Sequence, residues 1–188
     1  MTRPTRAAVP TLVLAAGLAL GGCSGDDAGS AGRPEEPCDP TPAAGPAAGQ
    51  PGSKEDPAPP GTTVRLGCVE LEVTDYKLQD YVGPDELESF PLRGKFAVVE
   101  LSVVNRSTDT KVAFSHTYFS VLVAEKAYPV SDNGTGLGLS VALPSDDLSP
   151  EVSLVGELAF DVPVKGTGDE VLRFRAKGRT AQVFLALR

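Results

Sequence analysis

Few residues in this chain are of types that do chemistry, and their spacing limits what they can do. His116 is the only histidine, and Ser115 precedes it directly. Neighbours in an extended chain point to opposite faces, so this imidazole is not placed to take the Ser115 proton, and an exposed or edge-strand histidine is expected instead. Carboxylates gather in three places: Asp146 with Asp147; Asp85, Glu86 and Glu88; and Asp132 with Asn133 beside Gly134. None has the 1, 3, 5, 12 spacing of a calcium loop, so a solvated acidic surface is the expectation. Glycoside cleavage by paired carboxylates asks for a substrate groove, and a chain without tryptophan gives no sign of one. Metal sites built from His, Cys or Met clusters fail for want of ligands, and no metal is expected. Aromatic side chains remain. Tyr76, Tyr81 and Phe90 flank the loop at 79–93 and Tyr118 follows His116, which makes these four a candidate binding patch. Packing into a core or an edge is their alternative.

The three cysteines say more. Arg3 and Arg6 precede a 16-residue apolar run, Ala7 to Gly22, which is short for a membrane span and carries Pro10 near its start. Leu20-Gly21-Gly22-Cys23 closes it, and the chain then turns polar. These four residues resemble the lipobox of bacterial lipoproteins, in which the cysteine thiol receives a diacylglyceryl group and two small residues admit the peptidase. The resemblance implies a signal peptide over 1–22, a lipid on Cys23 and a chain exported and anchored to the outer face of the cell membrane; an ordinary cleaved signal is the alternative. No cofactor is expected beyond that covalent lipid. Two acyl chains suffice for stable anchoring where one would be marginal. Cys38 and Cys68 are left as a pair that export permits to be oxidised, with two free thiols as the alternative. No CxxC is present, so a redox site is not supported.

Removing residues 1–22 leaves 166, one domain and a tail, and takes the formal charge from −8 to −10 with the loss of Arg3 and Arg6. That balance argues against nucleic acid and against anionic lipid as charge-driven partners. Residues 24–62 hold nine prolines, seven glycines and seven alanines and no aromatic or branched aliphatic residue. A lipid-anchored, disordered spacer is expected over 23–62. If Cys38 is bonded to Cys68, only Ser24 to Pro37 stays free and the remainder folds back on the domain. From 63 to 188 the period is two. Val69, Leu71 and Val73 alternate with Glu70 and Glu72. Ala97, Val99, Leu101 and Val103 alternate with Glu100 and Ser102. Val64 and Leu66 fall on the other parity, and a bulge or bend is expected at Gly67. Further strands are expected at Lys111–Phe114, Tyr118–Val123, Ala127–Val130, Val152–Phe160, Val171–Arg175 and Ala181–Leu187. A tight turn is expected at Glu125-Lys126 and a mobile glycine-rich loop at 131–140. Seven or more short strands and no amphipathic helix predict an all-β antiparallel sandwich.

The segments TVRLGCVELEVTDYKLQDYVG, GKFAVVELSVVNRSTD, FSVLVAEKAYPV and LSPEVSLVGELAFDVP together resemble a family of small bacterial exported domains of unknown function. Gly94 to Asn105, Phe119 to Tyr128 and Pro150 to Pro163 carry the likeness, with Glu151 standing where the family usually has glycine. The resemblance implies an immunoglobulin-like, telokin-like β-sandwich and transfers no catalytic residue. The expectation is a lipid-anchored extracytoplasmic module that binds an unknown protein or envelope component, touches the membrane through its anchor, binds no nucleic acid and is no enzyme. A cell-envelope hydrolase or its accessory subunit is the alternative, and a structural envelope spacer is a third. Asn105-Arg106-Ser107 and Asn133-Gly134-Thr135 fit a glycosylation pattern by chance.

Overall fold

The structure is a computed structural model describing residues 38–40, 42, 44–82, 91–132, 142–143, 146–164 and 168–188. Cys23 with its leader, the spacer as far as Pro37, the acids at 85, 86 and 88, Phe90 and loop residues 133–140 lie outside the described residues.

Eight strands form two four-stranded antiparallel sheets. The first has the order β1 (Val64–Leu66), β2 (Val69–Gln79), β3 (Gly94–Asn105), β6 (Ser153–Pro163). The second has the order β5 (Lys126–Pro129), β4 (Phe119–Val123), β7 (Val171–Arg175), β8 (Gln182–Ala186). Alternation built both. Leu71, Val99, Leu101 and Leu158 turn inward from the first sheet and meet Phe119, Phe174, Leu172 and Leu185 from the second, all buried. The rings of Phe119 and Phe174 lie 4.9 Å apart at their centroids. They are a cross-strand pair within the second sheet, and truncating such a buried ring typically costs about 3–5 kcal/mol.

Four local expectations change. The parity switch at Gly67 is a hairpin turn rather than a bulge: Leu66 pairs with Val69, and Gly67 takes φ 61°. A Cβ there would stand 2.1 Å from the Asp39 carbonyl oxygen, so only glycine fits. The bulge lies further along, between Val73 and Asp75, where the β2–β3 register shifts. Lys111–Phe114 is not a strand, because only Val112 pairs, in a single bridge to Leu148. Residues 116–118 form a 3-10 turn that Ser115 Oγ caps by accepting from the Thr117 N–H, so β4 begins at Phe119. The β4–β5 turn falls on Ala124 and Glu125, both at positive φ, one residue earlier than the sequence predicts.

The spacer expected through residue 62 is corrected from residue 44 onward. Ala58 is fully buried and forms a parallel bridge with Leu185. The Ala58 N–H donates to Phe184 O at 3.0 Å, Ala186 N–H to Ala58 O at 2.8 Å, and Phe184 N–H to Gly52 O at 2.9 Å. Buried Ser53 accepts from the Gly49 and Asp56 N–H groups through its Oγ. The proline-rich chain thus satisfies the open edge of β8, where unpaired backbone groups would otherwise invite another strand. Composition alone does not reveal this, because the stabilising partners are the backbone groups of β8 rather than apolar side chains of the segment.

Asn105 closes β3. Its Nδ2 donates to the carbonyls of Thr110, Leu148 and Ser149 at 3.0, 3.0 and 3.1 Å, and its Oδ1 accepts from the Ser107 N–H at 2.9 Å. The side chain is buried and its amide fully used, which leaves nothing for a glycan.

Candidate functional site

The outer faces of the two sheets differ, and the difference begins in strand parity. On β7, Leu172 and Phe174 point into the core, so Arg173 and Arg175 point out. The strand then enters a turn carrying Lys177 and Arg179, so RFRAKGR places four cations within seven residues. On neighbouring β4, Ser120 lies opposite Arg173 and accepts from its Nε at 3.0 Å through the hydroxyl. Pro129 of β5 lies opposite Ser120. Between them is an open cleft of about 260 Å³ edged by Tyr118, Pro129, Arg173, Arg175 and Lys177, and none of its lining residues is acidic.

Among the described residues, none of Arg173, Arg175, Lys177 and Arg179 forms a salt bridge to a carboxylate. Partial burial, and then the charge of Arg175, pull the Arg173 guanidinium below the ordinary arginine range. The site is therefore a place of like charges without a carboxylate partner among the described residues, and an anion brought there relieves the repulsion.

Three cations of the first sheet and its loops are paired with carboxylates, while Arg65 Nε donates to the Gly67 carbonyl. Arg106 Nε meets Glu70 at 2.6 Å, Lys95 Nζ meets Asp80 at 2.9 Å, and Lys77 meets Asp75. The Lys77 ammonium, first, and the Tyr76 N–H lower the Asp75 carboxyl below its usual range.

The aromatic patch expected from the sequence does not form as one surface. The bulge between Val73 and Asp75 moves Tyr76 onto the inward parity, opposite Val99, where it packs half-buried against the core. The Arg188 guanidinium stacks over its ring at 5.4 Å. Burial, and then the nearby Glu170 carboxylate, push the Tyr76 phenol up to about 12. Glu170 itself is buried; its Oε2 accepts from the Gly168 N–H at 3.0 Å and lies 3.8 Å from Arg188 Nε. Tyr81 is 44% exposed, Phe90 lies outside the described residues, and Tyr118 edges the cationic cleft. Tyr118 and Tyr76 line different clefts. The cationic cluster was missed because a net charge of −8 conceals it; the sequence signal was the RFRAKGR run.

Cys38 and Cys68 are joined in a disulfide. It closes a loop of 30 residues and is consistent with an extracytoplasmic location. Among the described residues no helix is long and apolar enough to cross a membrane, and no group of three or more His, Cys, Asp or Glu side chains is arranged to hold a metal ion.

Two antiparallel sheets over one core define an all-β sandwich protein. The model of the family described as Domain of unknown function (DUF4352) matches residues 59–177, and the chain belongs to that family. Two solved structures share the fold. One is the YjhA protein of Bacillus subtilis, with TM-score 0.50 and 12% identity over 69% of this chain and 98% of that one. The other is YcdA, a presumed lipoprotein of Bacillus subtilis, with TM-score 0.51 and 14% identity over 66% of this chain and 38% of that one. An uncharacterised β-sandwich protein of Clostridium difficile matches at TM-score 0.43 and 12% identity, over 69% of this chain and 91% of that one. Curated proteins offer no sequence match. At these identities the likeness is one of fold alone.

Proposed function

We propose that this chain is a lipid-anchored extracytoplasmic binding module, an immunoglobulin-like sandwich of the telokin-like type that performs no reaction and recognises its partner with the outer face of the second sheet. The observation that carries the reading is the cleft between Tyr118 and Lys177, where Arg173 and Arg175 stand without carboxylate partners in an acidic protein. Supporting the address are the lipobox at Cys23, the disulfide, and a structural relative that is itself a presumed lipoprotein. A hydrolase, the alternative, would need two carboxylates converging in a cleft. The cationic cleft has none, and Asp75, Glu100 and Glu157 stand abreast on an open sheet face. A purely structural spacer would not need an uncompensated cationic cluster.

Capture from envelope extracts tests the reading, with the full chain and its Arg173→Glu/Arg175→Glu variant used side by side as bait. The expected result is a component held by the first and lost by the second. Equal retention by both would move the recognition face elsewhere.

A further inference from the structure

The cationic cluster and the point where the tether enters lie at the same end of the sandwich. Cys38 is bonded to Cys68, and the Asp39 carbonyl accepts the Cys68 N–H at 3.1 Å, so the chain arriving from Cys23 is pinned at the β1–β2 turn. Pro40 and Pro42, next along, share a crevice of about 180 Å³ with Ala176, Lys177 and Arg179. The chain therefore arrives beside the β7–β8 turn. The 15 residues from Cys23 to Cys38 can span at most about 54 Å when fully extended.

We propose that Arg173, Arg175, Lys177 and Arg179 dock on the anionic phospholipid headgroups of the membrane in which the Cys23 lipid is embedded, with Tyr118 at the headgroup level. The proposal rests on the lipid-anchor reading and names the partner of the same face. Charge complementarity selects this occupant. Phosphodiester groups supply the counter-charge that the cluster lacks, Arg173 and Arg175 offer planar donors suited to phosphate, and tyrosine is at home at a membrane interface. The net negative charge does not forbid it. The acidic row lies on the outer face of the opposite sheet, with two sheets about 10 Å apart between it and the membrane. At physiological salt the screening length is about 8 Å, so the near cations outweigh the far carboxylates. Each basic residue at such a surface is worth about fivefold in partitioning, so reversing three should weaken docking by a hundredfold or more.

The test uses the mature lipidated full chain in vesicles of phosphatidylcholine with or without about one-third phosphatidylglycerol. Fluorophores are placed at Thr180→Cys, in the cationic turn, or at Ser102→Cys, on the acidic face, and headgroup-bound spin labels act as quenchers. The expected result is quenching at 180 and not at 102, only in phosphatidylglycerol vesicles, and abolished by Arg173→Glu/Arg175→Glu/Lys177→Glu. Raising salt to 1 M, where the screening length falls to about 3 Å, should release the docked state without any mutation. Equal quenching at both positions, quenching in pure phosphatidylcholine, or insensitivity to both salt and charge reversal would overturn the docking. A chain that partitions into neither vesicle would refute the anchor itself, and the docking with it. Retention of the chain by soluble polyphosphate without vesicle-dependent quenching would overturn the lipid assignment.

Discussion

On the outer side of the first sheet, Asp75, Glu100 and Glu157 lie directly opposite one another across β2, β3 and β6. Thr74 Oγ1 donates to Glu100 at 2.7 Å, and the lysine and arginine side chains nearby are tied to carboxylates. On the outer side of the second sheet, Arg173 has only the Ser120 hydroxyl, and Arg175, Lys177 and Arg179 have no carboxylate partner among the described residues. Both inner faces are packed alike with valine, leucine and phenylalanine. One fold thus spends its inner parity on stability and, beyond the outer cluster of Val82, Phe96, Val98 and Ala159, uses its outer parity to separate charge. The lesson is that an acidic total is no guide to what a single face attracts.

The largest way to break the comparison is to cut the link that sets which end faces the tether. Cys38→Ser/Cys68→Ser should cost about 3–4 kcal/mol in the chain-entropy model for a loop of this size, seen as a lower urea midpoint, with a steeper slope as the unlinked denatured chain exposes more surface. It should also leave Pro40 and Pro42 unpinned from the cationic turn. An unchanged midpoint would mean that the pinning contributes nothing to stability.

Asn105→Ala comes next. It strands the buried Ser107 N–H and takes the amide donor from the Thr110 carbonyl, while the Leu148 and Ser149 carbonyls keep the Val112 and Val152 N–H groups, so a loss of about 1–3 kcal/mol is expected. Thermal unfolding would measure it. Retained stability would show that the 107–110 turn does not depend on this amide.

Tyr76 sharpens the comparison from inside. Its phenol is raised from 10.0 to about 12 by burial and by Glu170, so the folded state favours the protonated form. Sign follows directly: this contribution is whole below pH 10 and is lost as pH rises from 10 through about 12. One of the four tyrosines should therefore ionise late in a 295 nm titration, and Tyr76→Phe should delete that late step. Survival of the step in the variant would place it on another tyrosine.

The smallest effect is expected at Glu157→Lys, which replaces a carboxylate directly opposite Glu100 by a cation. Like charges facing across strands destabilise, so the variant should gain about 0.5–1 kcal/mol in urea unfolding. A loss would show that the acidic row already has compensation.

Much of the fold was legible because alternation is a local property. The inward set Ala97, Val99, Leu101 and Val103 could be read from β3 without knowing what it packs against, and β7 and β8 were legible for the same reason. For Tyr76 the sequence left a binding patch and core packing both open, because a one-residue bulge inverts parity and whether a strand bulges depends on its partner's register. Residues 44–62 were spacer by composition and part of the domain if Cys38 bonded Cys68; the bond is present, and their hydrogen bonds to β8 reach more than a hundred residues along the chain.

By itself, then, the sequence determined a two-faced strand pattern and an apolar run closed by Cys23, both of which depend on residues near one another in the chain, and it left Cys38 and Cys68 as a pair. Only the tertiary structure decided that the arginines of β7 share a cleft with Ser120 and Tyr118, and that the disulfide-pinned prolines sit beside Lys177 and Arg179. Those neighbours meet because strands far apart in sequence pair in a definite register, and the free energy that selects the register lies in the buried core they make together.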